Sequence, residues 1–182
     1  MSFLSANSPF EDYRQKWESN NGLRLAEHFC NVSHFLCRLR MQMRYGEFTR
    51  APLKLHRLEI LADSVACDWF VRPPDPWDVD LPKAVALRHT TLQTLRDAID
   101  MRSLIFQTFH GIETAQLRVY RNSVHDVPEL IVSGFVQRND NSSRWLHSIT
   151  MRARVLGFRF HVEDDALWGL PPNDSPLHSV DG

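Results

Sequence analysis

Residues 23–45 read LRLAEHFCNVSHFLCRLRMQMRY. Leu25, Phe29, Val32, Leu36, Leu39 and Met43 recur at alternating spacings of four and three, the apolar stripe of an amphipathic helix. Leu23, Cys30, Cys37 and Met41 add a second apolar strip beside it, leaving Arg24, Asn31, Arg38 and Gln42 as the sector that faces water. A helix apolar over so much of its girth is expected at the centre of a domain, and the other elements are placed around it.

Upstream, Ser8-Pro9-Phe10-Glu11 combines a capping serine, a first-turn proline and a glutamate three residues after the cap, which predicts a short helix to about Ser19. Downstream, Leu53 to Leu61 and Val65 to Arg72 form a hairpin pattern, and the proline-rich loop from Pro73 to Asp80 follows. Asp80 is expected to cap a second long helix with the stripe Leu81, Val85, Leu92, Leu95 and Ile99, ending near Gly111. Ala115 to Arg121 and Pro128 to Arg138 make a second hairpin. Ser142 or Ser143 is expected to cap a third helix with Trp145, Leu146, Ile149, Ala153 and Leu156 inward. Phe158 to Val162 and Ala166 to Leu170, around Asp164-Asp165, make a third hairpin.

Three successive helix-plus-hairpin units follow, and with them an α+β fold. Its mostly antiparallel sheet has the helices on one face around a long central helix. Residues 1–170 are read as one domain and residues 171–182, with few apolar side chains, as a disordered C-terminal tail.

The balance of charge excludes a global polyanion binder, because the net charge is -1 with 24% charged residues. Three cysteines, Cys30, Cys37 and Cys67, make no paired framework, and no run of 18 apolar residues occurs. A cytoplasmic protein with no membrane association is expected.

Specific chemistry is weakly signalled. Cys30, His34 and Cys37 share one side of the first long helix, but a fourth zinc ligand is missing and buried packing is the favoured reading, with no metal or other cofactor. His56 and Cys67 on the first hairpin have the types of a thiol–imidazole dyad, yet no glycine-rich turn or helix start stands beside Cys67 as an oxyanion site. No catalytic residue is assigned. Asp75, Trp77, Asp78 and Asp80 lie in the stiff loop, where a recognition surface competes with the plainer reading of a tryptophan staple and a helix cap.

Charge is unevenly spread. From Arg38 to Arg57 the chain carries Arg38, Arg40, Arg44, Arg50, Lys54 and Arg57 against Glu47, and an acidic stretch from Glu59 to Asp80 follows. Arg144, His147, Arg152 and Arg154 collect on the third helix, Arg144, His147 and Arg154 opposite its apolar face. Two functions are expected from this pattern. The first is a non-catalytic protein-interaction or regulatory protein that self-associates as a homodimer, because hairpin edges call for a partner or a cover. The alternative is binding of nucleic acid or a phosphorylated ligand by Arg144, His147, Arg152 and Arg154 with Arg38 and Arg44.

Overall fold

The computed structural model describes residues 29–40, 53–61, 63–74, 80–122, 127–139 and 145–171, together with Glu27 and Asp78. The short first helix, the loop residues Asp75 and Trp77, the arginines Arg44 and Arg144, and all of the tail but Pro171 lie outside them.

The fold is α+β. Helix α1 (29–40) precedes strands β1 (Lys54–Ile60) and β2 (Ser64–Phe70), then come helix α2 (Lys83–Thr108), β3 (Thr114–Asn122), β4 (Pro128–Gln137), helix α3 (Ile149–Val155), β5 (Phe158–Glu163) and β6 (Ala166–Trp168). The six strands form one sheet in the order β1-β2-β3-β4-β5-β6. Neighbours run antiparallel except β2 and β3, which α2 connects and which pair in parallel from Ser64↔Thr114 to Phe70↔Tyr120. Strand boundaries fall close to those expected, because period-two alternation and turn residues are local signals. Asp164 and Asp165, both at positive φ (49° and 62°), make the tight turn between β5 and β6.

Alternation sorts the strand side chains into two faces. Val65, Cys67 and Trp69 of β2, Ala115, Leu117 and Val119 of β3, Val132 and Val136 of β4, and Phe158 and Phe160 of β5 join the helices in one core. Opposite Phe158, β4 carries Gly134, and a Cβ there would meet the Phe158 ring at 2.5 Å, so the ring occupies the space a side chain would need.

The centre of this core is α2, and the expectation that α1 holds it is overturned. Every residue of α2 from Thr94 to Thr108 is buried except Arg96, Asp100, Ser103 and Gln107. In α1 the buried side chains are Phe35 and Leu39, with Val32 packed beside them, while Phe29 (65%) and Leu36 (39%) are exposed. Cys30 and Cys37 are exposed too, so the packed reading of these thiols fails with the stripe that supported it. The helix is covered along Val32, Phe35 and Leu39, a narrow line that locks onto α2 through Phe35 against Phe109, ring centroids 5.4 Å apart.

Two other expectations are corrected. Asp80 does not cap α2: Pro82 is the N-cap residue and makes no side-chain cap bond. Helix α3 is one short segment capped by Ser148, whose hydroxyl accepts from Met151 N at 3.5 Å, so Trp145 and Leu146 precede it and Trp145, expected inward, is 88% exposed.

Buried charge on α2 is hydrogen-bonded, Asp97 by side chains and Arg102 by the carbonyls of Gln137 and Arg138. Arg72, just past β2, donates from Nε and Nη2 to the Asp97 carboxylate of α2 at 2.8 and 3.1 Å, and Gln93 donates to the same carboxylate at 2.8 Å. Arg138 closes the other end of α2 by donating to the carbonyls of Phe106, Phe109 and Ile112 at 2.7, 2.6 and 2.8 Å, which satisfies acceptors that a helix end leaves open. No helix among the described residues is long and apolar enough to cross a membrane.

Candidate functional site

The face of the sheet turned away from the core carries the unusual chemistry. Direct register places Arg57 of β1, Asp68 of β2, Arg118 of β3, Ser133 of β4 and Arg159 of β5 in one row. Two rungs along the sheet to one side stand Lys54, Phe70 and Tyr120, and on the other side Glu59, Ala66, Gln116 and Phe135. The described helices lay their buried side chains on the opposite face.

Within the central row Arg118 grips Asp68 with two parallel hydrogen bonds, Nε to Oδ1 at 2.9 Å and Nη2 to Oδ2 at 2.8 Å, and both side chains are almost wholly buried. Burial opposes the Arg118 charge, but the Asp68 hydrogen bond and Coulomb attraction outweigh it and raise the Arg118 pKa. Arg57 pairs with Glu59 along the same strand.

The Lys54 end is aromatic. A bulge between Leu55 and Arg57 makes His56 the extra residue of β1 and turns its ring onto the Phe70 ring at 5.2 Å and the Tyr120 ring at 6.3 Å. Phe70 and Tyr120 are 6.4 Å apart, and Lys54 Nζ stands 5.3 Å over Phe70. Burial and the Asp68 charge raise the Tyr120 pKa against the pull of Arg118 and Arg57. A second bulge, where Val119 pairs with Val132 but Tyr120 with Leu130, twists β4 beside the same corner. At the other end Phe135 is 57% exposed on an interior strand. Its backbone carbonyl lies where a Cβ on Gly157, at φ +90°, would come within 2.7 Å, so the β4 backbone at Phe135 runs close to the turn that follows α3.

Of the site residues expected from sequence, Arg44, Arg144, Asp75 and Trp77 lie outside the described residues, and the others are placed as follows. Cys67 points into the core with no exposure and a pKa raised by burial first and by Asp68 second, while His56 lies on the opposite face, so the dyad does not exist. His147 precedes α3 and does not share a helical face with Arg154. Arg154 stacks over Phe160 at 5.3 Å, and Arg152, half-buried, acts on Asp100. Arg38 donates to Gln107 Oε1 at 2.7 Å. Asp78 meets His89 Nδ1 at 3.2 Å. No group of three or more His, Cys, Asp or Glu side chains suited to a metal occurs among the described residues.

Sequence reasoning missed Phe70, Phe135 and His56 as members of one surface. The available signal was that these residues alternate with core positions, which becomes legible only once strand order is known. No protein-family model matches the chain, and comparison with curated proteins and with solved structures gives no match.

Proposed function

We propose that this chain is a non-catalytic interaction domain that recognises its partner through the outer face of the sheet and forms a homodimer through the Phe135 end of that face. The observation that carries the reading is Phe135 itself, a large apolar side chain more than half exposed in the interior of a sheet. Aromatic residues and arginine are the side chains that interfaces favour, and the buried Asp68–Arg118 pair stiffens the middle of a row whose Arg57 and Arg159 are exposed. The hairpins themselves supply less reason to associate than their sequences imply. They are joined edge to edge, which leaves β1, bulged and charged, and β6, three residues long, as the borders.

The alternative reading, phosphate contact through the third helix, has weaker support, because Arg152 and Arg154 are engaged with Asp100 and Phe160. The exposed Cys30 and Cys37 thiols favour a reducing, cytoplasmic setting. The order of elements also accommodates three helix-plus-hairpin units, each unable to bury its own apolar face alone.

Sedimentation velocity from micromolar to near-millimolar protein tests the reading. A mass that rises toward a dimer in the parent chain and stays monomeric in Phe135→Lys is the expected result. A strict monomer across that range would remove the homodimer.

A further inference from the structure

We infer that the His56, Phe70 and Tyr120 corner binds single-stranded nucleic acid, with a base stacked on the rings and its phosphate held by Lys54 and Arg57. The inference rests on the outer face being a recognition surface and adds what its far end takes. Four residues of strand separate Gln116, beside Phe135, from Tyr120, or about 13 Å, so the corner stays accessible when the Phe135 end is occupied.

The geometry matches the way sheets take up unpaired bases. Rings from adjacent strands stand on one face at centroid distances of 5.2 to 6.4 Å, Phe70 and Tyr120 are directly opposite in register, and both are only partly covered. A strand residue inserted by a bulge is what aims His56 at them. Cross-strand packing alone would account for Phe70 and Tyr120, but it does not require the bulge, nor the ammonium of Lys54 held over the half-buried Phe70 ring.

The charges set the size of the ligand's anionic contact. Asp68 is bonded to Arg118 and Glu59 to Arg57, so among the described residues these four nearly cancel and Lys54 carries the net local charge, while Arg57, half-exposed and bonded to Glu59 through Nη2, can reach a phosphate only by sharing its guanidinium with that carboxylate. One or two phosphates can be held. A long polyanion draped over many cations cannot, and an acidic peptide would leave the π-faces, the main resource of this corner, unused except where it happened to carry a ring. Every nucleobase presents such a face.

The test is fluorescence anisotropy with end-labelled oligothymidylate and oligouridylate of about eight nucleotides, within the reach of one sheet platform. Binding is expected at low salt and should weaken about five- to twenty-five-fold for a tenfold rise in salt, the slope for one to two phosphates on a single strand. Tyr120→Leu and Phe70→Leu retain apolar bulk for folding and should weaken binding about five- to hundredfold, the loss of stacking on one base. Lys54→Gln should flatten the salt dependence, and Phe135→Lys should change nothing.

Absence of binding at low salt, or a steep salt dependence indifferent to Tyr120→Leu, would overturn the inference. Binding of an acidic peptide in place of either oligonucleotide would reassign the corner to a protein partner and overturn it as well. If the oligonucleotides do not bind while Phe135→Lys still abolishes self-association, this inference fails and the interaction reading stands. If self-association is absent but the oligonucleotides bind with the expected ring dependence, the reverse holds.

Discussion

Asp68 and Arg118 face each other in register across the parallel strands β2 and β3, joined by hydrogen bonds of 2.9 and 2.8 Å on the face of the sheet that the core does not use. A buried pair of this kind is a better device for fixing geometry than for adding stability, since desolvation of both ions offsets most of their attraction. Removing one partner is another matter. Arg118→Ala leaves the Asp68 carboxylate buried and unpaired and should cost about 3 to 5 kcal/mol, whereas the joint replacement Asp68→Leu with Arg118→Met should be near neutral. Urea denaturation of the two variants checks the ranking. A joint variant as unstable as Arg118→Ala would mean that the pair contributes net stability.

The rotational phase of α1 gives the second prediction. Phe35, with no exposure, packs on Phe109, and Leu36 one residue on is 39% exposed. Phe35→Ala should therefore cost about 3 to 5 kcal/mol, and Leu36→Ala well under half of that. Arg38→Ala, which loses one exposed bond to Gln107, should stay within about 0.5 kcal/mol of the parent. Thermal melts of the three variants would reject this placement of the helix if Leu36→Ala proved the most damaging.

How much of this was legible in the chain depends on the range of the physics involved. The six strands and the Asp164-Asp165 turn were legible because alternation and turn chemistry act over a few residues. The identity of the central helix was not. Periodicity shows that a helix has an apolar side, but two overlapping lines, Phe29 with Leu36 and Val32 with Phe35, fit residues 29–40, and only tertiary packing selects one. The stripe read for the second long helix, Leu81 to Ile99, stops short of its most buried turns, because the buried part of the helix also contains Thr94, Asp97, Arg102 and Thr108, polar side chains whose burial depends on distant partners such as Arg72. The outer-face surface was hidden for a related reason, since Arg57, Asp68, Arg118 and Arg159 become neighbours only through the parallel β2–β3 register.

Thiol chemistry offers a third prediction. Cys67 lies in the core and burial pushes its pKa up, so the reactive thiolate is suppressed, while Cys30 and Cys37 stand exposed on α1. Native protein treated with iodoacetamide at neutral pH should label Cys30 and Cys37 and spare Cys67, which should react only in denaturant. Peptide mass mapping that found Cys67 labelled first would revive the dyad with His56.

The last prediction concerns Asp100, on the solvent side of α2. Burial raises its pKa above the ordinary 3.8 although Arg152, Arg72 and Arg96 all pull it down. The folded protein therefore binds a proton at Asp100 more readily than the unfolded chain does. Between 3.8 and the raised value the folded state carries more protons, so this residue's contribution to stability falls as pH rises through that window and is unfavourable at neutral pH. Asp100→Asn removes the ionisation and keeps the shape. It should melt at a higher temperature than the parent at neutral pH, and the gap should close as pH is lowered below the ordinary aspartate range, where Asp100 is protonated in both states. Melting curves of parent and variant taken in parallel across that range isolate the residue from the general loss of stability in acid. A gap that is constant with pH, or a variant less stable at neutral pH, would show that the three arginines outweigh the cost of burial and that Asp100 is a favourable charge on the surface of α2.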